Sequence, residues 1–335
     1  MSNTPSVTPA RLLQFAWGFA PPLIIDAAVR RRLFDVLAPR PKTAAAVASE
    51  AAISERGARA VLNALTGVAL LSKDADGRYA LTPESSAYLV STSPTFMGGM
   101  FRHASVQLLP RWLALNEVVA TGEPAPREAS DEARFHQFVE DIMPLSLPAA
   151  HALAEALVGE AGDAPLRVLD VGAGSGVWGI ALAQRSQRVR VTAVDWPKVL
   201  EVTQTVAARS GVADQLETRG GDMFEVDFGA GYQVAVLGQI LHSISESQSR
   251  ALLAKIHQAL APGGVLAIAE FLVDDAHASP THALIFAVNM LVNTEQGDTY
   301  SFSQIAAWLT EAGFENVRTL PAPGQSPLIL ANRKR

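Results

Sequence analysis

The second half of the chain alternates short apolar runs with helical patterns from about residue 165 onward. Apolar runs of this length are typical of buried strands, and helices between successive strands favour parallel pairing. Five such strands are expected near residues 167–171, 190–194, 216–219, 233–237 and 265–270. A helix over 302–313 then precedes apolar runs at 317–320 and 328–331. The pattern predicts an α/β fold, with a Rossmann-like sheet that ends in an antiparallel hairpin.

The first part of the chain is dominated by helical patterns. Residues 10–40 carry an apolar face, and Pro21 with Pro22 is expected to split or kink this helix. Residues 94–158 also look helical and are rich in aromatic and methionine side chains. Such side chains at helical spacing are more often core than ligand pocket.

A short pattern between these helical stretches is typical of a winged helix. Thr43 and Ser54 are predicted to cap two helices, and residues 70–81 are predicted to form a hairpin that turns at Asp76-Gly77. A winged helix suggests either DNA binding or a dimerisation module. A DNA-reading role is disfavoured because the second helix carries no basic cluster. The pattern divides the chain into three parts: a winged-helix-like part over 1–95, a helical part over 96–160, and the alternating part over 161–335.

Net charge and the absence of cysteine argue against several classes of function. The 335 residues carry a net charge of −6, which argues against a nucleic-acid-binding surface. Cysteine is absent, so disulfides, thiolate catalysis and zinc–thiolate sites are excluded. No run of 18 uncharged apolar residues occurs, and the first nine residues lack an apolar leader segment. A cytoplasmic protein without a membrane span is expected.

The glycine-rich segment after the first expected strand predicts a nucleotide-binding turn. Asp170 ends the strand, and Gly172, Gly174 and Gly176 follow at alternate positions before an apolar helix. Glycines are needed where the backbone turns sharply and a ligand comes close. Residues 174–179 also fit G-x-G-x-x-G, which alone is compatible with NAD.

Three acidic positions favour S-adenosylmethionine over NAD. A carboxylate at Asp170 suits a cationic aminoacyl-sulfonium ligand better than a pyrophosphate. Asp195 ends the next strand at a spacing suited to ribose hydroxyls, which fits either cofactor. Asp222 could accept from an adenine amino group, while Met223 and Phe224 pack on the ring. Taken singly, each motif is equally compatible with a helix cap or a turn without ligand.

Several motifs together resemble the class I O-methyltransferases, in particular the small-molecule branch of plant phenolic, acetylserotonin and bacterial natural-product enzymes. These motifs are Val168-Leu-Asp-Val-Gly-Ala-Gly-Ser-Gly176, Val194-Asp-Trp-Pro197, Gly221-Asp-Met-Phe224, Ile240-Leu-His242, Ala261-Pro-Gly-Gly264 and Ala269-Glu270. The resemblance covers nearly the whole chain and implies a homodimer with a seven-stranded methyltransferase sheet. It implies a winged-helix-like dimerisation domain over 1–95, a helical linker and substrate lid over 96–160, and a cofactor-binding domain over 161–335. It also implies S-adenosylmethionine as cofactor and S-adenosylhomocysteine as product.

The resemblance assigns roles to individual residues. His242 would remove the proton of a small aromatic or polyketide-like hydroxyl, and Glu270 would orient His242. The three glycines would seat the methionine portion of the cofactor, and Trp196 and Gln239 are expected in the cofactor site. The alternative for His242 is a helix cap or a packed histidine.

Three positions depart from the family pattern. Ile244 stands where the family usually has an adenine-covering Trp, and Gly238 stands where some plant members have Lys. Thr299 stands where a second family carboxylate is expected, with Asp298 as a speculative substitute. These departures leave open a relative with diverged chemistry, such as C- or N-methylation or a reaction without methyl transfer.

The substrate site is the least specific prediction. Wall residues are expected among the aromatic and polar side chains Trp112, Phe135, Met143, Asn289 and Asn293, although core or surface placement is as compatible with the pattern. No metal site is expected, because the other histidines lack ligand spacing apart from the weak pair His277 and His282. Two further alternatives are a winged-helix ligand-sensing regulator and, more remotely, an NAD-dependent dehydrogenase.

Overall fold

The computed structural model describes residues 7–126, 130–161 and 164–335, with side chains for 7–126, 136–159 and 164–335. Two compact units are present: the first ends at Pro110 and the second begins at Arg111. This division falls inside the segment 96–160 that was expected as a helical lid. The three-part division predicted from the sequence stays a prediction.

The first unit combines short helices with a small sheet. Its elements are α1 (Ala10–Ala16), α2 (Ala20–Arg30), α3 (Leu33–Leu37), β1 (Lys42–Thr43), α4 (Ala44–Glu50), α5 (Glu55–Gly67), β2 (Leu71–Lys73), β3 (Arg78–Leu81), α6 (Pro83–Tyr88) and α7 (Gly98–His103). The strands form an antiparallel sheet in the order β1-β3-β2. A π-helical turn, Ala104–Leu108, leads into α8 (Leu109–Trp112), which spans the division between the units.

The local signals of the winged helix act as predicted. Thr43 Oγ1 accepts from Ala46 N at 3.3 Å, and Ser54 Oγ accepts from Gly57 N at 3.1 Å, so each residue caps its helix. The hairpin between β2 and β3 turns at Gly77, whose φ is +74°. These contacts confirm the capping and the hairpin.

The break in the N-terminal helix lies upstream of the predicted place. Residues 17–19 separate α1 from α2, and Pro21 and Pro22 occupy the first turn of α2. Proline is tolerated there because the first helical N–H groups have no intrahelical acceptor. The apolar face predicted for residues 10–19 is exposed in the single chain, with no buried residue in α1.

The second unit alternates strands and helices. Its helices are α9 (Leu115–Thr121), α10 (Ser130–Ala161), α11 (Val177–Arg185), α12 (Pro197–Arg209), α13 (Glu246–Ala259), α14 (Thr281–Asn293) and α15 (Phe302–Glu311). Its strands are β4 (Leu166–Val171), β5 (Val189–Asp195), β6 (Leu216–Gly220), β7 (Tyr232–Gly238), β8 (Leu260–Ala269), β9 (Phe314–Leu320) and β10 (Leu328–Arg333).

The seven strands form one sheet in the order β6-β5-β4-β7-β8-β10-β9. The first five are parallel, whereas β10 pairs antiparallel with both β8 and β9. The α/β prediction and its terminal hairpin are thus confirmed. The order reverses beside β4, where β5 lies on one side and β7 on the other. Open parallel sheets bind ligands at such a reversal, at the carboxyl ends of the strands.

Both faces of the sheet are covered by apolar clusters. In β4, Val168 belongs to the cluster shared with α10 and α11, whereas Leu169 and Val171 belong to the cluster shared with α13 and α15. Successive strand residues point to opposite faces, so a strand buried on both sides is apolar throughout. This explains why Val168, Leu169 and Val171 are all apolar, with the charged Asp170 near the end of β4 as the exception.

Two segments, Ala10–Arg30 and His136–Gly159, have the length and apolar composition of a membrane span, with mean hydropathies of 1.4 and 1.3. Both segments contain charged residues, so neither is an uncharged apolar run. Core helices of soluble proteins pass the same test, so these two segments are weak evidence for a membrane span.

The core assignment is tested by a matched pair of leucines. Leu252 in α13 is fully buried, whereas Leu113 is 81% exposed. We expect Leu252→Ala to lower the free energy of unfolding by about 2–5 kcal/mol, because it leaves a cavity, and Leu113→Ala to change it by less than about 0.5 kcal/mol. Urea unfolding of both variants measures this difference. Equal losses would contradict the assigned core.

Candidate active site

The loop between β4 and α11 carries three glycines in conformations that other residues rarely adopt. The φ angles of Gly172, Gly174 and Gly176 are +66°, +56° and +76°. A Cβ atom at Gly176 would lie 2.7 Å from Thr203 Cγ2, and one at Gly172 would overlap the side chain of Ile240. Backbone strain favours glycine at all three positions, and lack of space adds to it at Gly172 and Gly176.

Asp170, at the end of β4, is buried beside the glycine loop. Its Oδ2 accepts a hydrogen bond from Gly179 N at 2.9 Å, in the first turn of α11. Its Oδ1 is also buried and has no hydrogen-bond partner among the described residues. Burial raises the pKa of Asp170 from 3.8 to about 7, and the Asp195 carboxylate adds to the rise. A cationic ligand would stabilise the ionised form.

Asp195, at the end of β5, ties the glycine loop to the neighbouring strand. Its Oδ2 accepts from Gly174 N at 2.8 Å, and its Oδ1 accepts from Trp196 N at 2.7 Å. Burial raises the pKa of Asp195, while these two hydrogen bonds lower it. Each oxygen retains a second lone pair for a ligand hydroxyl. The Trp196 side chain is exposed.

The turn after β6 lies beside Asp195, because Gly221 N donates to the Asp195 carbonyl at 3.0 Å. Asp222 Oδ1 accepts from Phe224 N at 2.9 Å, which closes a turn of the Asx type. Met223 and Phe224 are half-buried and pack against the apolar cluster of β7 and α13. The geometry therefore gives all three residues a structural role in the turn.

Gln239, directly after β7, has a strained backbone and an unused polar atom. Its φ is +63°, a left-handed value that non-glycine residues rarely adopt. Its N–H donates to the Ala269 carbonyl at 2.9 Å. Its Oε1 is buried and has no partner among the described residues. Strain and an unpartnered acceptor in one residue are typical of functional sites.

His242 and Glu270 form a buried hydrogen-bonded pair. His242 lies in a single 3-10 turn after β7, and Glu270 follows β8. Because β7 and β8 are parallel neighbours, their ends meet: His242 Nδ1 lies 2.7 Å from Glu270 Oε2, and His242 N donates to Glu270 Oε1 at 3.4 Å. The proximity expected from the sequence is therefore found.

An aromatic pair beside His242 was missed by the sequence reasoning. The Phe286 ring meets the His242 ring edge-on with centroids 4.9 Å apart, and Phe271 lies 5.9 Å from the same ring. The two phenylalanine rings are 4.0 Å apart. One signal was available, because Phe271 directly follows Glu270 in the sequence.

Three of the five predicted substrate residues form one cluster. Trp112 Nε1 donates to Asn289 Oδ1 at 2.9 Å, and Asn293 Nδ2 donates to the same oxygen at 2.9 Å. Met143 instead packs, half-buried, against the apolar cluster of α10 and α11. The side chain of Phe135 lies outside the described residues. Within the described residues, no group of three or more metal-ligating side chains could hold a metal ion.

Comparison with known proteins decides the family. The family model of the O-methyltransferase domain matches residues 117–315, and that of the O-methyltransferase dimerisation domain matches residues 13–91. The chain belongs to the O-methyltransferase family. The winged helix of the first unit is accordingly a dimerisation domain, as the sequence favoured. Family membership also decides against the NAD-dehydrogenase and regulator alternatives.

Two curated relatives and one solved structure support this membership over nearly the whole chain. A tetracenomycin polyketide synthesis 8-O-methyl transferase of Streptomyces glaucescens is 30% identical, covering 98% of this chain and 97% of its own. A 3-hydroxy-5-methyl-1-naphthoate 3-O-methyltransferase of Streptomyces sahachiroi is 33% identical, covering 96% and 94%. The structure of a candidate O-methyltransferase from Nostoc punctiforme aligns with a TM-score of 0.89 at 28% identity, covering 98% and 99%.

S-adenosylmethionine is the methyl donor of this O-methyltransferase. The residues at the ends of β4, β5 and β7 fit such a ligand. Asp170 Oδ1 and Gln239 Oε1 are buried acceptors without partners, and the glycine loop excludes side chains where the ligand would approach. An unpaired buried acceptor costs about 1–3 kcal/mol, so a donor-bearing ligand would relieve a cost already present.

The departures from the family pattern have structural explanations in part. A Cβ atom at Gly238 would overlap the Trp178 indole, so no lysine fits there. Thr299 is buried, and its Oγ1 has no partner among the described residues. Asp298 is exposed, and its Oδ1 accepts a hydrogen bond from Thr299 N at 2.7 Å. One oxygen of this carboxylate is therefore bound to the neighbouring backbone. Ile244 packs half-buried against the apolar cluster of β7 and α13.

The raised pKa of Asp170 predicts a pH-dependent stability of the ligand-free enzyme. Between pH 4 and 7 the folded state holds a proton on Asp170 that the unfolded chain has lost, so this contribution is complete at low pH and disappears as the pH rises through about 7. Relative to Asp170→Asn, the wild type should lose roughly 2 kcal/mol of unfolding free energy from pH 5 to pH 8.

Urea unfolding of both proteins at the two pH values measures this shift, with Asp214→Asn at an exposed position as the matched control. A difference between wild type and Asp170→Asn that does not change with pH would mean that Asp170 is ionised throughout.

Proposed function

We propose that this enzyme transfers a methyl group from S-adenosylmethionine to a hydroxyl of a small aromatic or polyketide-like molecule, with His242 as general base. The observation that carries the proposal is the buried contact of 2.7 Å between His242 Nδ1 and Glu270 Oε2. A carboxylate at Nδ1 accepts a hydrogen bond from that nitrogen, which keeps the proton on Nδ1 and leaves the lone pair on Nε2. That tautomer is the one a general base requires.

The roles of the cofactor-site residues follow from their positions. S-adenosylmethionine supplies an activated methyl group on a positively charged sulfur. Asp170 and the glycine loop would hold its methionine portion, and Asp195 would accept from its ribose hydroxyls. Asp222 and Met223, with the neighbouring Phe224, Trp196 and Gln239, would hold the adenine end.

No residue that the structure describes competes for the reactive side of His242. The described residues make no hydrogen bond to Nε2, while Glu270 engages Nδ1 and stabilises the imidazolium that forms. The Phe271 and Phe286 rings beside His242 form an apolar wall. A phenol with a pKa near 10 is a poor nucleophile at neutral pH, so removal of its proton by His242 would raise the rate.

The acceptor class rests on the aromatic wall and on the polar cluster of α14. Aromatic rings pack favourably against Phe271 and Phe286. Trp112, Asn289 and Asn293 form a hydrogen-bonded group that would contact polar substituents, with Met143 and Phe135 as further wall residues. The two relatives named for a polyketide and a hydroxynaphthoate acceptor support the same class.

Assembly and location complete the proposal. The dimerisation domain and the exposed apolar side chains of α1 support a homodimer, because an exposed apolar patch is typical of an interface. The segment 96–160 would cover the substrate site as a lid. The enzyme would act in the cytoplasm, where S-adenosylmethionine is made.

Thr299 favours one second candidate, a family member with diverged chemistry such as C- or N-methylation or a reaction without methyl transfer. A hydroxyl without a partner stands where the family pattern has a carboxylate. Product analysis separates the two. A methyl ether released with S-adenosylhomocysteine supports O-methylation. A C- or N-methylated product released with S-adenosylhomocysteine, or consumption of the acceptor without S-adenosylhomocysteine, supports diverged chemistry.

Cofactor binding should depend on Asp195. Its carboxylate accepts two backbone hydrogen bonds and would accept from ribose, so Asp195→Ala should weaken S-adenosylmethionine and S-adenosylhomocysteine binding by roughly 10–100-fold. Calorimetric titration of both ligands measures the affinities, with Asp214→Ala as an exposed control. Absence of binding to the wild type would overturn the proposed function.

Catalysis should depend on the histidine–glutamate pair. We expect His242→Ala to lower kcat by roughly 10²–10⁴-fold and Glu270→Gln by a smaller factor, because the second change leaves the base but removes its orienting charge. Labelled-methyl transfer to hydroxynaphthalenes measures the rates, with His151→Ala at an exposed position as control. S-adenosylhomocysteine affinity should stay the same in all variants. An unchanged kcat in His242→Ala would exclude His242 as the base.

A further inference from the structure

One face of α14 carries a second histidine that the proposed reaction does not use. Residues spaced by four, three and four positions share one side of a helix within an arc of about 60°. On α14 this face consists of His282, Phe286, Asn289 and Asn293, all of which are half-buried. All four residues therefore lie on the side of α14 that carries Phe286, the ring that meets His242.

This face lies against the histidine–glutamate pair. The helix α14 packs on the 3-10 turn Leu241–Ser243 and on α9. Phe286 meets the His242 ring edge-on at 4.9 Å, and Asn289 accepts from Trp112. In the proposed reaction the acceptor hydroxyl lies beside His242 and therefore beside Phe286. Along the helix, Asn289 lies on one side of Phe286 and His282 on the other.

His282 Nε2 is buried and has no hydrogen-bond partner among the described residues. A buried polar atom of this kind costs about 1–3 kcal/mol unless a ligand or water pairs with it. The sequence singled out His282 only through its weak spacing to His277 and assigned it no role in the site. Its position on the Phe286 face distinguishes it, because its side chain belongs to the same wall as the ring that contacts His242.

We propose that His282 binds a second oxygen of the methyl acceptor, a carboxylate or carbonyl on the far side of a fused aromatic ring system. This inference rests on the proposed function. His282 precedes Phe286 by four residues, or about 6 Å along the helix axis. An oxygen next to the reacting hydroxyl is too close to reach that level, whereas one across two fused rings reaches it. A protonated Nε2 donates to such an oxygen.

Three acceptors test the proposal. They are 2-naphthol, which has no second oxygen, 3-hydroxy-2-naphthoate, whose carboxylate adjoins the hydroxyl, and 6-hydroxy-2-naphthoate, whose carboxylate lies across the ring system. Two variants accompany the wild type: His282→Leu removes the nitrogen, and His282→Gln retains a donor near the position of Nε2. Equilibrium affinity for the S-adenosylhomocysteine-loaded protein is measured by calorimetry, together with KM and kcat.

For 6-hydroxy-2-naphthoate, His282→Leu should raise Kd and KM about 10-fold while kcat changes little, because one charge-assisted hydrogen bond is lost. The same variant should leave both constants for 2-naphthol and 3-hydroxy-2-naphthoate unchanged, and His282→Gln should restore part of the affinity. A merely structural role of His282 would change all three acceptors alike, which would overturn the proposal.

Different results overturn the proposed function and the role of His282. If the wild type supplied with S-adenosylmethionine methylates none of the three acceptors, the result counts against the proposed function. The binding data still decide the role of His282, since equal affinities of wild type and His282→Leu for 6-hydroxy-2-naphthoate would contradict it. If the wild type methylates these acceptors and His282→Leu discriminates among them as the wild type does, only the role of His282 is excluded.

Discussion

The parallel alignment of β4, β5, β7 and β8 is the constraint on which the site depends. The buried middle of each strand is mostly apolar, and a polar group lies near or just after its carboxyl end, because the interior of the sheet tolerates no unpaired charge. Parallel neighbours end at the same edge, so Asp170, Asp195, His242 and Glu270 come together although up to 100 positions separate them in the chain. No local signal could bring them together.

Several polar atoms in and around the candidate site lack hydrogen-bond partners. Asp170 Oδ1, Gln239 Oε1, Thr299 Oγ1 and His282 Nε2 are buried without partners in the described part of the chain. Each such atom destabilises the ligand-free fold, and the left-handed backbone of Gln239 adds strain. The apolar clusters on both faces of the sheet offset this cost. The same atoms are then available for a ligand without rearrangement of the protein, which favours tight binding.

The sequence predicted the parts of the structure that local patterns determine. Strand positions followed from apolar runs, and Thr43 and Ser54 followed from capping chemistry. The meeting of His242 and Glu270 required only the assumption that their strands are parallel neighbours. The contact of Phe286 with His242 could not be predicted, because it depends on the rotation of α14 about its axis. The sequence predicted the helix break at Pro21 and Pro22, whereas it lies at residues 17–19. The prediction was wrong because a proline in the first turn of a helix and a proline in its middle look alike in sequence.

In the proposed reaction, the surroundings of His242 bear on which hydroxyl the enzyme would activate. Glu270 Oε2 lies 2.7 Å from His242 Nδ1, whereas Thr299 contributes no charge where the family pattern has a second acid. One carboxylate, instead of two, would stabilise the imidazolium that forms as the proton leaves the hydroxyl. The less support the protein gives to this charge, the more the reaction depends on the acidity of the hydroxyl itself. A hydroxyl made acidic by conjugation to a carbonyl, as in aromatic polyketides, would therefore suit the proposed base better than a simple phenol.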